Sequence, residues 1–103
     1  MGPEAIKDIL LNIRNARIAV YGDFCLDAYL IMDSKGSEIS VETGLKAEAV
    51  QRHYYSPGGA SNIAANLAAL KPAEIFPIGV LGNDIYAREL KLQLEAMGII
   101  TSH

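Results

Sequence analysis

Apolar residues near the amino terminus recur at the spacing of a helix. Pro3 suits the first turn of a helix spanning residues 3–16. One side of that helix would carry four large apolar residues: Ile6, Ile9, Leu10 and Ile13. The apolar run 17–22 then ends at a glycine, as is typical of a buried strand. The chain therefore begins with a predicted amphipathic helix and a predicted core strand.

The middle of the chain is predicted to be rich in strands. Residues 28–32 form a short apolar run, and residues 38–42 alternate polar and apolar positions as an exposed strand would. Residues 46–55 leave two interpretations open. Their charged and amide side chains allow a helix, whereas the tyrosines and the following Ser-Pro-Gly-Gly favour a strand.

The second half of the pattern predicts a helix, a strand and a second helix. Gly58 and Gly59 open a helix that reaches about Leu70. Residues 75–81 are predicted to form a buried strand, in which a proline favours an edge or a bulge. Asn83-Asp84 supplies the start of the last helix, which ends at a glycine and carries an apolar stripe of Tyr86, Leu90, Leu94 and Met97.

This alternation of strands and helices predicts an α/β fold. Its natural arrangement is a parallel sheet with helical crossovers, and such sheets bind ligands at the carboxyl ends of their strands. Three segments are expected to meet there: residues 22–27, 58–62 and 82–84. That convergence is the first indication of function.

The amino-acid composition argues against several classes of protein. The chain has 103 residues, of which 50% are hydrophobic, and its formal net charge is −3. These values argue for a packed core and against disorder, and they predict neither a nucleic-acid partner nor a membrane partner. No apolar run is long enough to span a bilayer or resembles a secretory signal, so a cytoplasmic location is expected. The single cysteine, Cys25, cannot build an internal disulfide framework.

Two motifs carry candidate chemistry. Asp23 and Asp27 follow the first strand, where ionised carboxylates could accept hydrogen bonds from sugar hydroxyls. The alternative is that Asp23 caps a turn and Asp27 is simply solvated. Gly58 and Gly59 would let a ligand approach the N–H groups at a helix start, and Asn62 offers both a donor and an acceptor. The alternative there is a Pro-Gly-Gly turn followed by a Ser61 cap.

The sequence does not indicate a common nucleotide-binding motif or a metal site. The glycine motif lacks the Gly-Lys-Ser/Thr ending of a Walker A loop, and the first strand lacks the Gly-x-Gly-x-x-Gly dinucleotide fingerprint. His53 has no second histidine at ligand spacing, because His103 is terminal, so no metal site is predicted.

The run from Gly58 to Leu70 (GGASNIAANLAAL), followed by Gly79 and the Gly-Asn-Asp at 82–84, resembles the amino-terminal signature of PfkB/ribokinase-type carbohydrate kinases. Gly22-Asp23 with Asp27-Ala28-Tyr29 resembles the first-strand motif of the same family. Within the family, the sequence is most similar to the heptose 7-phosphate kinase domains of bacterial ADP-heptose synthesis. The resemblance covers about residues 17–103.

The resemblance implies a ribokinase-like three-layer fold, of which residues 1–103 are the amino-terminal, sugar-binding portion. It implies that Asp27, Gly58, Gly59 and Asn62 hold the hydroxyls of a sugar or sugar phosphate, with Asp23 supporting the loop. Strands within about 28–55 would form a small β-lid, which in this family often serves as a homodimer surface. ATP and Mg²⁺ would bind beyond His103, where the family's Gly-Ala-Gly-Asp motif supplies the catalytic base.

The resemblance thus implies that the chain is part of an enzyme that transfers the γ-phosphoryl group of ATP to a sugar hydroxyl. Since no catalytic residue is predicted within the chain, the 103 residues alone are expected to be inactive. The alternative is a sugar-binding or dimerisation module without enzymatic activity.

Overall fold

The computed structural model describes residues 1–40 and 42–102. These residues form two compact units, of which the second is Asp27–Ser56 and the first is built from the chain on either side of it. The elements in chain order are α1 (Pro3–Ile13), β1 (Arg17–Tyr21), β2 (Phe24–Ile39), β3 (Lys46–Gly59), α2 (Ala60–Ala69), β4 (Glu74–Ile78) and α3 (Ile85–Ala96). None of the helices among the described residues is long and apolar enough to cross a membrane.

The first unit contains the predicted parallel pairing. β1 and β4 run parallel in register from Arg17 opposite Glu74 to Tyr21 opposite Ile78. At the start of the pair, the Arg17 guanidinium forms an ion pair with Glu74 and lies 5.2 Å from the centre of the Phe76 ring. The α/β class and the parallel sheet predicted from the sequence are therefore confirmed.

β1 is less enclosed than its apolar sequence predicts. Val20 is buried, but Tyr21 on the other side of the strand is 84% exposed. The expectation of a fully buried strand is wrong for the described residues, because they cover only one side of the sheet. β4 is also shorter than predicted: it ends at Ile78, so residues 79–81 lie outside it. Its proline stands in a strand at the edge of the two-stranded sheet, as expected.

The core of the first unit lies between this sheet and two helices. α2 and α3 contribute four of its members, and the full set is Val20, Phe24, Ala60, Ala64, Ile75, Leu90, Leu94 and Ile99. On α3 the predicted stripe is confirmed at Leu90 and Leu94, whereas Ala87 is buried in place of the half-exposed Tyr86. The Asp84 side chain accepts a hydrogen bond from the N–H of Ala87 at 2.8 Å, which caps α3 as predicted.

The second unit is the middle of a β-hairpin formed by β2 and β3. The strands are neighbours in one sheet, and the N–H of Ser40 donates to the carbonyl oxygen of Leu45 at 2.8 Å across their connection. Residues 28–32 thus belong to one long strand, and the open choice for residues 46–55 is decided in favour of a strand. The separate strand predicted at 38–42 is wrong. β2 ends at Ile39, and residue 41 lies outside the described residues.

α1 forms as predicted but is shorter and less covered. It ends at Ile13 rather than at residue 16, because the next residues turn toward β1 with hydrogen bonds from Asn15 to Asn12 and from Ala16 to Ile13. None of its residues is buried. The apolar stripe that predicted the helix is therefore at the surface of the described residues.

Candidate functional site

The carboxyl ends of β1 and β4 meet the start of α2 through backbone contacts. Beyond the last ladder pair, the N–H of Gly22 donates to the carbonyl oxygen of Ile78 at 3.2 Å. The N–H of Ala60 donates to the carbonyl oxygen of Asp23 at 2.8 Å. The predicted convergence of the segments beginning at residues 22 and 58 is thus present within the first unit.

Gly59 occupies the narrowest point of this junction. Its φ of 56° and ψ of −130° belong to a region that side-chain-bearing residues rarely adopt. A Cβ at this position would lie 2.6 Å from the Asp23 carbonyl oxygen and 3.2 Å from the Cys25 Sγ. Both the backbone conformation and the available space therefore require glycine here.

Gly79 has a comparable role on the β4 side. A Cβ there would lie 2.6 Å from Cδ2 of Phe24 and 2.9 Å from the Gly22 carbonyl oxygen. Residues 82–84 were expected at this edge of the sheet, and Gly82 lines a cavity there together with Gly79. The close contact with Phe24 and Gly22 is made by Gly79. Its place in the family signature was the available signal in the sequence, and the buried Phe24 carried none.

The start of α2 presents backbone and amide groups instead of a serine cap. Gly59 is the N-cap residue, and no side chain caps the helix. The alternative of a Ser61 cap is therefore wrong: Ser61 is fully buried, and its hydroxyl has no hydrogen-bond partner among the described residues. Asn62, on the first helical turn, is exposed. The first N–H groups of a helix lack partners within it, and in α2 the N–H of Ala60 is already bonded to Asp23. The N–H groups of the next residues in the first turn are those that can receive a polar ligand.

The predicted site residues are divided between the two units. Asp23, Gly58, Gly59 and Asn62 lie in the first unit, where Asp23 and Gly59 are in direct contact through the backbone. The Asp23 side chain is exposed, and the hydrogen bond that joins Asp23 to α2 is accepted by its main-chain carbonyl oxygen. Asp27 is exposed and is the first residue of the second unit.

A cavity of about 210 Å³ lies beside this junction in the first unit. Its wall combines polar and apolar surface, with Lys91 from α3 as its charged member, and it includes Phe24, Pro77, Gly79, Leu94 and Thr101. The cavity was not predicted from the sequence, because it depends on how the segment after β4 packs against α3. No group of three or more histidine, cysteine or acidic side chains suited to a metal ion occurs in residues 1–40 and 42–102.

Comparison with known proteins finds relatives named bifunctional protein HldE. The chain is 38% identical over 87 residues to the bifunctional protein HldE of Hahella chejuensis, covering 84% of this chain and 18% of that protein. It is 42% identical over 84 residues to HldE of Coxiella burnetii, and 39% identical over 84 residues to HldE of Pseudomonas aeruginosa. Each of these two matches covers 82% of this chain and 17% of the relative.

The chain is a homologue of the amino-terminal region of bifunctional HldE proteins. This confirms the resemblance to the ADP-heptose synthesis enzyme recognised in the sequence. The chain spans less than a fifth of the length of these HldE relatives. No protein-family model matches it.

Proposed function

We propose that the chain is the sugar-binding, amino-terminal part of a ribokinase-like kinase of the PfkB type. In this proposal the parallel pair and its helices belong to a three-layer domain, and the hairpin acts as its lid and as a homodimer surface. The whole protein transfers the γ-phosphoryl group of ATP to a hydroxyl of a sugar phosphate, and the homology to HldE favours a heptose phosphate.

The observation that carries the proposal is the glycine junction at the start of α2. The contact between Gly59 and Asp23 leaves no room for a side chain at the helix start, and both Gly59 and the nearby Asn62 are exposed. Sugar hydroxyls both donate and accept, and they match the mixture of N–H groups and the Asn62 amide found there. None of the proposed site residues is positively charged, so the arrangement suits a hydroxyl-bearing substrate better than it suits a nucleoside triphosphate.

Each proposed site residue has a role in positioning the acceptor sugar. Gly59 presents exposed backbone beside the buried Gly58. Asn62 binds a hydroxyl, and Asp27 accepts a hydrogen bond from another. Asp23 supports the junction through its carbonyl oxygen. Phosphoryl transfer gains most of its rate from positioning and electrostatic stabilisation, so orienting the acceptor is a direct contribution to catalysis. ATP and Mg²⁺ act in the whole protein, and no residue of this chain is assigned to them.

Calorimetric titration of the chain with heptose 7-phosphate tests this assignment. We expect Asn62→Ala and Asp27→Asn to abolish the measured heat, because each removes a partner of a sugar hydroxyl. Asn66→Ala is the matched control, since Asn66 is exposed one turn further along α2. Equal losses in Asn62→Ala and Asn66→Ala, or no binding by the unmodified chain, would contradict the proposal.

A further inference from the structure

The hairpin carries a pair of stacked aromatic rings on one side. The rings of Tyr29 and Tyr54 lie 4.8 Å apart between centroids, with an angle of 11° between their planes. Their residues are 44% and 48% exposed, so the pair is accessible within the second unit. Neither phenol hydroxyl forms a hydrogen bond with another described residue.

Two charged residues stand two positions from the rings on this side of the hairpin. Side chains two positions apart in a strand point to the same side, which places Asp27 with Tyr29 on β2 and Arg52 with Tyr54 on β3. Both side chains are exposed, and neither side chain forms an ion pair or hydrogen bond within the part of the chain that the structure describes. The four residues Asp27, Tyr29, Arg52 and Tyr54 are called the tyrosine face below.

The strand directions place the two charges at opposite ends of the ring pair. The connection between β2 and β3 is too short for a parallel crossover, so the strands are antiparallel. Asp27 precedes Tyr29 by two residues and Arg52 precedes Tyr54 by two residues. Because the strands run in opposite directions, the two charged residues lie on opposite sides of the ring pair along the strand axis. At about 3.3 Å per residue, the backbones of Asp27 and Arg52 are roughly 13 Å apart along the strands.

Resting on the proposed function, we propose that the tyrosine face selects the phosphorylated form of the sugar substrate. The two rings contact the apolar side of the sugar, Asp27 accepts from its hydroxyls, and Arg52 binds the phosphate group at the far end. The guanidinium donates paired hydrogen bonds to phosphate oxygens, and its charge complements theirs. The separation of the two charges fits an extended sugar phosphate held between two flexible side chains.

Ring resonances of the tyrosines provide a direct test in the 103-residue chain. The chain has five tyrosines, and Tyr21 in the first unit is an exposed internal control. Titration with heptose 7-phosphate should shift the rings of Tyr29 and Tyr54 and leave Tyr21 unchanged. Heptose without phosphate should shift them less at the same concentration, and inorganic phosphate alone should perturb only the surroundings of Arg52.

Substitutions separate the roles of the ring and the charge. Arg52→Gln should raise the Kd for heptose 7-phosphate about tenfold and leave the Kd for heptose unchanged, because it removes a charge-assisted contact. Arg14→Gln, at the C-cap of α1, is the matched control and should change neither Kd. Tyr54→Ala should raise the Kd for both heptose 7-phosphate and heptose. Tyr54→Phe keeps the ring and should raise both Kd values less.

The outcomes distinguish this proposal from the one on which it rests. If heptose 7-phosphate shifts the amide resonances of Gly59 and Asn62 but not the two tyrosine rings, the tyrosine face is excluded and the proposed function stands. An Arg52→Gln variant with an unchanged ratio of the two Kd values also overturns the proposal. If neither set of resonances shifts, both proposals fail.

Discussion

The carbonyl oxygen of Asp23 accepts a hydrogen bond from the N–H of Ala60, and the glycine between β3 and α2 makes this approach possible. One backbone bond thus fixes the end of the first strand against the start of a helix 37 positions later in the sequence. The junction is built from main-chain atoms. It therefore depends more on the absence of a side chain at the glycine than on the identity of any side chain nearby.

Replacing Gly59 by alanine should destabilise the chain strongly. The new Cβ would meet the Asp23 carbonyl at 2.6 Å, and the backbone conformation itself costs about 1–3 kcal/mol for a residue with a side chain. Urea denaturation followed by circular dichroism measures the loss. Gly98→Ala is the matched control, because Gly98 also has a positive φ but its Cβ would meet nothing within 4 Å. Equal losses in the two variants would show that the contact with Asp23 contributes nothing.

Gly79→Ala should also lower the free energy of unfolding, for a packing reason alone. Its Cβ would press on the buried Phe24 ring at 2.6 Å, and overpacking of this kind typically costs about 1–3 kcal/mol. Gly82→Ala, whose Cβ would be in ordinary contact at 3.6 Å, should be nearly neutral. Combining Gly79→Ala with Phe24→Leu should recover part of the loss. A double variant whose loss equals the sum of the two single losses would contradict the assigned clash.

Ser61→Ala should leave stability unchanged or raise it. The hydroxyl is buried without a hydrogen-bond partner among the described residues, and alanine is the better helix former by about 0.5 kcal/mol. The reverse change one turn along, Ala64→Ser, introduces a hydroxyl at another fully buried position of α2 and should destabilise. Thermal unfolding of both variants provides the comparison. A marked loss in Ser61→Ala would mean that its hydroxyl has a partner in solution.

The purified 103-residue chain should neither hydrolyse ATP nor phosphorylate heptose 7-phosphate. All proposed contacts of this chain position the acceptor, and none is assigned to the nucleotide. A coupled assay for ADP formation measures this, with HldE of Pseudomonas aeruginosa assayed in parallel as the active reference. Turnover by the 103 residues above the rate without protein would refute the proposed division of roles.

The sequence was most informative where local chemistry decides local structure. Asp84 as a helix cap and Gly98 after the last helix follow from backbone groups that need a partner or a positive φ, and both are present. The prediction of a separate strand at 38–42 was wrong because alternation over five residues does not distinguish a strand from the turn that follows one. The long β2 and β3 arise from pairing with each other, which periodicity within either segment does not reveal.

The glycines of the candidate site could be predicted from the sequence, but the contacts that they make could not. Gly59 could be singled out because a glycine directly before a helix indicates a close approach of the backbone, whereas Gly79 is required only because Phe24 and Gly22 approach it. Ser61 shows the opposite case. A serine near a helix start is usually a cap, but here it lies within the first turn and is enclosed by the core.

The parallel pair of β1 and β4 also has a consequence for how this chain can vary. Arg17 and Glu74 are 57 positions apart, so forming the pair already requires closure of a long loop that includes the whole hairpin. The entropy of loop closure grows only with the logarithm of loop length, and even doubling the loop would cost about 0.6 kcal/mol. The hairpin can therefore lengthen, shorten or be exchanged during evolution at little cost to the two strands that flank it.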